Sequence, residues 1–86
     1  MDINDLTTIV KKKLQNELNI ESISVEDKSF LHKNHSGHQE GKFHLKLIIS
    51  SNELRKLNKI KSNKKIYKVL DEEMKEYIHS LQILIS

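Results

Sequence analysis

Cysteine is absent from the sequence. That removes disulfides, thiolate zinc sites, nucleophilic thiols and iron–sulfur clusters held by the chain's own cysteines. Any metal handled by this protein therefore meets nitrogen and oxygen ligands, or thiolates lent by another molecule. Proline and tryptophan are also missing, glycine occurs twice, and the remaining aromatics are two Phe and two Tyr. So few aromatics leave little for stacking nucleic-acid bases, and two glycines make no glycine-rich phosphate loop. No apolar run approaches the ~20 residues that a membrane span needs. The first residues, MDINDLTTIV, carry acids where a secretion signal carries bases, so secretion is not expected.

What is present fits a small globular domain. The 86 residues are expected to form one domain, 1–86, monomeric by itself and with a modest core. Charged residues make up 31% and the mean hydropathy is −0.59. The net charge of +3, with a pI of about 9.2, is a mild basic excess that permits nucleic-acid contact without demanding it. The expected location is the cytoplasm, or a mitochondrion or other organelle if a presequence has been removed.

Apolar spacing divides the chain. Ile3, Leu6, Val10, Leu14 and Leu18 recur at helical period, so residues 2–18 read as an amphipathic helix with Asp2 or Asn4 as its cap and Lys11–Lys13 mostly on the wet side. Residues 21–29 alternate briefly at Ile23 and Val25 and read as a charged edge strand. Residues 42–50 are the clearest strand, with Phe43, Leu45, Leu47 and Ile49 on one face and His44, Lys46 and Ile48 on the other. A short helix starting near Ser51 carries Leu54, Leu57 and Ile60, and the polar KIKSNKK is expected to interrupt it. A longer helix runs from Ser62 or Asn63 to Tyr77, burying Ile66, Tyr67, Leu70, Met74, Tyr77 and Ile78, with Asp71, Glu72, Glu73 and Glu76 on a solvated acidic face. Residues 79–85 make a last strand. The order is α-β-β-α-α-β: an α+β domain whose three-stranded mixed sheet carries its helices on one face.

Four of the five histidines fall within LHKNHSGHQEGKFH, residues 31–44, together with both glycines. A helical crossover between two strands of one sheet favours parallel pairing. If the last strand lies parallel to the second, His44 and His79 both start their strands at one end of the sheet. The loop carrying His32, His35 and His38 feeds into that same end. Convergent imidazoles are what a nitrogen-ligand metal site requires. Taken singly, each loop histidine is more simply idle in solvent. For His79, at a helix–strand junction, backbone hydrogen bonding competes evenly with ligation. For His44, a structural role on the sheet rim is the better reading.

Three segments carry a further signal: VEDKSFLH (25–32), HSGHQEGKFHLKLIIS (35–50) and IYKVLDEEMKEYIHSLQI (66–83). In order and spacing they resemble the BolA-like family from about Val25 to Ile85. The resemblance implies a fold similar to class II KH domains. It also implies a function: an adaptor that binds a monothiol glutaredoxin and shares a [2Fe-2S] cluster, in iron–sulfur trafficking or iron regulation. The glutaredoxin cysteine and a glutathione thiol would supply sulfur, and this chain nitrogen. The family's strand-start histidine matches His79, and its loop ligand matches His32, with His35 and His38 as further candidates in reach. Histidine ligation of one iron has a precedent in Rieske centres, and it needs neutral imidazole, so assembly should weaken below histidine's ordinary pKa of about 6.5. The chain departs from the family at Asn52-Glu53-Leu54-Arg55, which lacks a glycine, at His44-Leu45, where His-Phe is usual, and at Ser62-Asn63-Lys64-Lys65, where the family has an Arg-His-Arg run. Lysine does not reproduce arginine's bidentate fork.

Two other functions compete. One is a KH-like nucleic-acid-binding transcriptional regulator. A KH domain clamps backbone with a Gly-x-x-Gly loop, and Gly37 and Gly41 have neither the spacing nor the place for it. Weak phosphate contact through Lys59, Lys61, Lys64 and Lys65 stays open. The other is a standalone zinc or copper binder using His32, His35 and His38. Catalysis is not expected, because no nucleophile, phosphate loop or paired carboxylates in a pocket can be argued.

Overall fold

The computed structural model describes residues 1–29 and 42–86. The order is α1 (Ile3–Glu17), β1 (Ser22–Asp27), β2 (Phe43–Ser50), α2 (Asn52–Arg55), α3 (Lys59–Val69), α4 (Asp71–Glu76) and β3 (Ile78–Ile85). One sheet runs β1-β2-β3, with β1 antiparallel and β3 parallel to β2. The parallel crossover argued from the sequence is therefore present.

The core lies between the sheet and its single layer of helices. Leu6, Val10 and Leu14 of α1 meet Leu45, Leu47 and Ile49 of β2, and Leu54, Ile66, Leu70 and Ile78 complete the cluster, all buried. α1, α2 and α3 each begin where a short polar side chain can take up a free N–H. Asp2 accepts from Asp5 N at 2.9 Å, Ser51 from Leu54 N at 3.1 Å and Asn58 from Lys61 N at 2.8 Å. The Asn58 cap corrects one expectation: KIKSNKK does not interrupt a helix but opens α3.

The long helix expected up to Tyr77 is two. α3 ends at Leu70, whose φ of −97° and ψ of 20° leave the helical region, and α4 restarts at Asp71 with three acids in its first turn. Carboxylates there interact favourably with the free N–H groups of a helix start. One of the three does more. Glu73 is buried rather than solvated, and its Oε2 accepts a hydrogen bond from Lys13 Nζ at 2.8 Å. Lys13 is in turn half-buried, and not on the wet face expected of the lysine triplet. Glu72 stands 3.8 Å from the same ammonium. The hydrogen bond to Glu73, with the charge of both acids, holds the Lys13 ammonium above the ordinary lysine value of 10.5. Tyr67 and Ile60, expected in buried stripes, are 39% and 69% exposed.

Candidate functional site at the start of the parallel ladder

The parallel pairing of β2 and β3 brings both strand starts together, and the ladder is irregular there. Phe43 pairs with Ile78 and His44 with Ser80, which leaves His79 as an extra residue. Strict alternation would point His79 to the face that carries Leu81. The bulge changes this: Ile78 takes the core position, while His79 and Ser80 both stay exposed. An extra residue at a bulge re-aims side chains in just this way.

His44 lies beneath them. It is 7% exposed although it points away from the helix layer. Its N–H donates to Ser29 Oγ at 3.0 Å, and its carbonyl accepts from Lys28 N at 2.7 Å. Ser29 is set by its own N–H, which donates to Asp27 Oδ1 at 2.9 Å. The Nδ1 of His44 and the Ser80 hydroxyl are 2.6 Å apart, with Nδ1 accepting when the ring proton sits on Nε2 and donating otherwise. The His44 and His79 rings meet edge to face, 4.9 Å between centroids at 63°. A buried, hydrogen-bonded imidazole thus fixes one side of an exposed one. Among the described residues, the His79 ring makes no hydrogen bond.

Two ion pairs brace the elements that lead here. Lys13–Glu73 ties α1 to α4, immediately before β3. Lys28–Glu26, at 2.9 Å, sits where β1 ends, and the Lys28 hydrogen bond holds the Glu26 carboxyl below its ordinary 4.5.

The arrangement offers a nitrogen donor at a fixed place. Among the described residues no three His, Cys, Asp or Glu side chains converge to hold a metal ion. A metal taken by His79 would therefore draw its remaining ligands from elsewhere. His32, His35 and His38 lie outside the described residues. The lysines singled out for nucleic acid, Lys61, Lys64 and Lys65, are exposed on α3 with Lys59 and Lys68. Lys65 and Lys68 also line a groove of about 490 Å³ against Lys13, Glu17 and Leu18 of the α1 end. They are well separated in sequence from the histidines.

A family model described as BolA-like protein matches residues 14–86. The chain belongs to the BolA-like family. Among BolA-like relatives, it is 29% identical over 75 residues to the DNA-binding transcriptional regulator BolA of Haemophilus influenzae, covering 87% of this chain and 70% of that protein. It is 31% identical over 80 residues to SufE-like protein 1, chloroplastic/mitochondrial, of Arabidopsis thaliana, but spans only 22% of that longer protein. The solved BolA domain of SufE1 from Arabidopsis thaliana superposes with a TM-score of 0.81 at 28% identity, covering 99% of this chain and 94% of that domain. The small α+β fold is thus a BolA fold, as its sequence segments implied.

Sequence reasoning brought His44 and His79 together and missed the residues that hold them. Ser80 and Ser29 were not singled out. The cue for Ser80 was its place beside His79 at a helix–strand junction. The cue for Ser29 was the Asp27-x-Ser29 turn.

Proposed function

We propose that this BolA-like chain is a non-catalytic adaptor that pairs with a monothiol glutaredoxin and shares a [2Fe-2S] cluster with it. The observation that carries the reading is the exposed His79 imidazole on a bulge, backed by buried His44. His79 presents a nitrogen to one iron. His44 orients it through the edge contact, and Ser80 and Ser29 hold His44. His32 is three residues from Ser29, so at most roughly 11 Å of chain tethers it to this end. His32, with His35 and His38 as alternatives, is the proposed second ligand.

The residues fit a shared cluster better than a resident one. A cysteine-free chain without a converged three-ligand group among its described residues needs thiolates from outside, and the glutaredoxin cysteine and glutathione bring them. Bound, the cluster supplies one-electron redox chemistry, and histidine on one iron raises its potential relative to an all-cysteine centre.

The test is anaerobic reconstitution with a monothiol glutaredoxin, glutathione, iron and sulfide, read by visible circular dichroism. Wild type is expected to replace the glutaredoxin homodimer spectrum with a new one, and His79→Ala to lose it. His32→Ala then tests the loop ligand. An unchanged homodimer spectrum with no association sinks the reading.

A second reading is favoured by the exposed lysines of α3 and by the relative named as a DNA-binding transcriptional regulator. Here Lys61, Lys64 and Lys65 contact phosphate. Salt dependence of duplex binding tests it: each lysine removed should lower the slope of log K against log salt by about one.

A further inference from the structure

β1 and β3 are the two edge strands of the sheet, and they are protected differently. β1 ends in Glu26-Asp27, with Glu21 just before the strand and Lys28 just after it. Charges on an edge discourage another strand from adding to it. β3 reads IHSLQILI, with no carboxylate, lysine, arginine or proline.

The ladder hydrogen bonds identify the main-chain groups of β3 that remain open. Ser86 N donates to Ile49 O at 2.8 Å, and Ser86 O accepts from Ser51 N at 3.4 Å. Both groups of Ser86 therefore face β2. The direction alternates along a strand, so Leu84 and Gln82 also face β2, while Leu81, Ile83 and Ile85 turn theirs to the outer edge. The Tyr67 hydroxyl donates to Leu81 O at 3.2 Å, which agrees with this and caps the edge at that point. Among the described residues, the outward groups of Ile83 and Ile85 have no hydrogen-bond partner.

A groove of about 340 Å³ runs beside them, with Leu54, Leu57, Lys59 and Asn63 across from Ile83 and Ile85. Its charged lining residues are Lys59 and Arg55, both positive, and no carboxylate lines it. Arg55 is held by Ser86 O and Asn52 Oδ1, and Lys59 is exposed. Exposed apolar surface gathers at the same edge. Leu84 is 47% exposed, and Ile60 and Tyr67 lie on the α3 face that Asn63 shares, by i, i+3, i+7 spacing.

The geometry points to β3 as the acceptor for an extended acidic segment of a partner protein, added as a fourth strand along Ile83–Ile85. The main chain of the segment hydrogen-bonds to Ile83 and Ile85. The side chains that the segment turns toward the helices enter the groove, an apolar one over Leu54 and Leu57 and a carboxylate beside Lys59 and Arg55. This is strand addition to a sheet edge, with backbone bonds giving affinity and pockets giving choice. A second copy of this chain is a poorer occupant, because its β3 brings no carboxylate and its net charge is also +3. The groove lies at the far end of β3 from His79, so the inference does not depend on a cluster.

The test is an amide-detected NMR titration of the 15N-labelled chain. The probe is a short peptide repeating Glu-Glu-Val-Val, which gives each face of the strand both residue types, compared with one repeating Lys-Lys-Val-Val and one repeating Glu-Glu-Pro-Pro. The Glu–Val peptide is expected to shift the Ile83 and Ile85 amides and slow their exchange. The other two should bind at least about fivefold more weakly, one for its charge and one for its missing N–H groups. Lys59→Glu should weaken the Glu–Val peptide about threefold, with an unshifted Leu47 amide as the check on folding. Shifts confined to other residues, or equal binding of the Glu–Pro or Lys–Val peptide, would overturn the proposal. So would a peptide-free dimer in sedimentation whose contacts cover Ile83 and Ile85, since the occupant would then be a second copy.

Discussion

The two ends of the β2–β3 ladder use hydroxyl groups in opposite ways. At the far end Ser51 is fully buried, and its hydroxyl is used twice within the fold: it donates to Asn19 O at 2.7 Å and accepts from Leu54 N at 3.1 Å. Those two bonds join the α1–β1 connection to the start of α2 and use the hydroxyl both as donor and as acceptor. At the histidine end Ser80 is exposed, and its hydroxyl is spent on His44, which then backs a His79 ring that nothing among the described residues hydrogen-bonds. A polar group buried without a partner costs stability, so the satisfied end is a folding device. The histidine end holds one nitrogen donor more than the described residues consume. That surplus is what marks it as a site.

The largest effect that separates the ends is expected from Ser51→Ala. It leaves α2 uncapped and removes the partner of Asn19 O, and should cost about 1–2 kcal/mol in urea unfolding. The His44 and His79 ring signals of the folded variant should stay where they are. If those signals move, the two ends are coupled and the comparison fails.

Ser80→Ala is the converse and should cost less, about 0.5–1 kcal/mol, because the hydroxyl is exposed. Its main effect is local. Imidazole 15N shifts report which ring nitrogen carries the proton, and the His44 Nδ1 signal should change as the 2.6 Å contact is lost. His79, packed 4.9 Å away, should follow. An unchanged His44 ring would mean that Ser80 does not fix it, and the positioning argument for His79 would lose its first step.

How far the sequence disclosed these ends depends on what periodicity can detect. It reads apolar faces, so α1 from Ile3 to Leu14 and β2 from Phe43 to Ile49 were legible, and the crossover rule then placed His44 beside His79. It does not read caps or distant pairs. KIKSNKK looked like a break because its only apolar residue is one isoleucine, Ile60, itself exposed, yet Asn58 starts a helix through it. Glu73 looked solvated because its partner Lys13 is 60 residues away. The bulge at His79 was invisible because one extra residue leaves the alternation of Leu81, Ile83 and Ile85 intact. Tyr67 and Ile60 fit a helical stripe and are exposed because they face the open edge of β3 and not the core.

The smallest expected effect concerns the ion pairs that brace the histidine end and have no counterpart at Ser51 among the described residues. Lys13 has its folded pKa raised above 10.5 by Glu73, so its contribution is whole below that value and is lost as pH rises through the folded pKa. Glu26 has its pKa lowered below 4.5 by Lys28, so its contribution is whole above 4.5 and is lost as pH falls through the folded pKa. Both groups are accessible to solvent and screened, so each loss should be slight. Between the two values the contribution should be flat. Urea midpoints of wild type, Lys13→Met and Glu26→Gln across this range check it. The wild-type advantage over Lys13→Met should shrink only on the alkaline side, and the advantage over Glu26→Gln only on the acid side. Curves that stay parallel on both sides would show that neither pair favours its charged form in the fold, and the bracing of α4 and of the β1 end would then rest on apolar contacts alone.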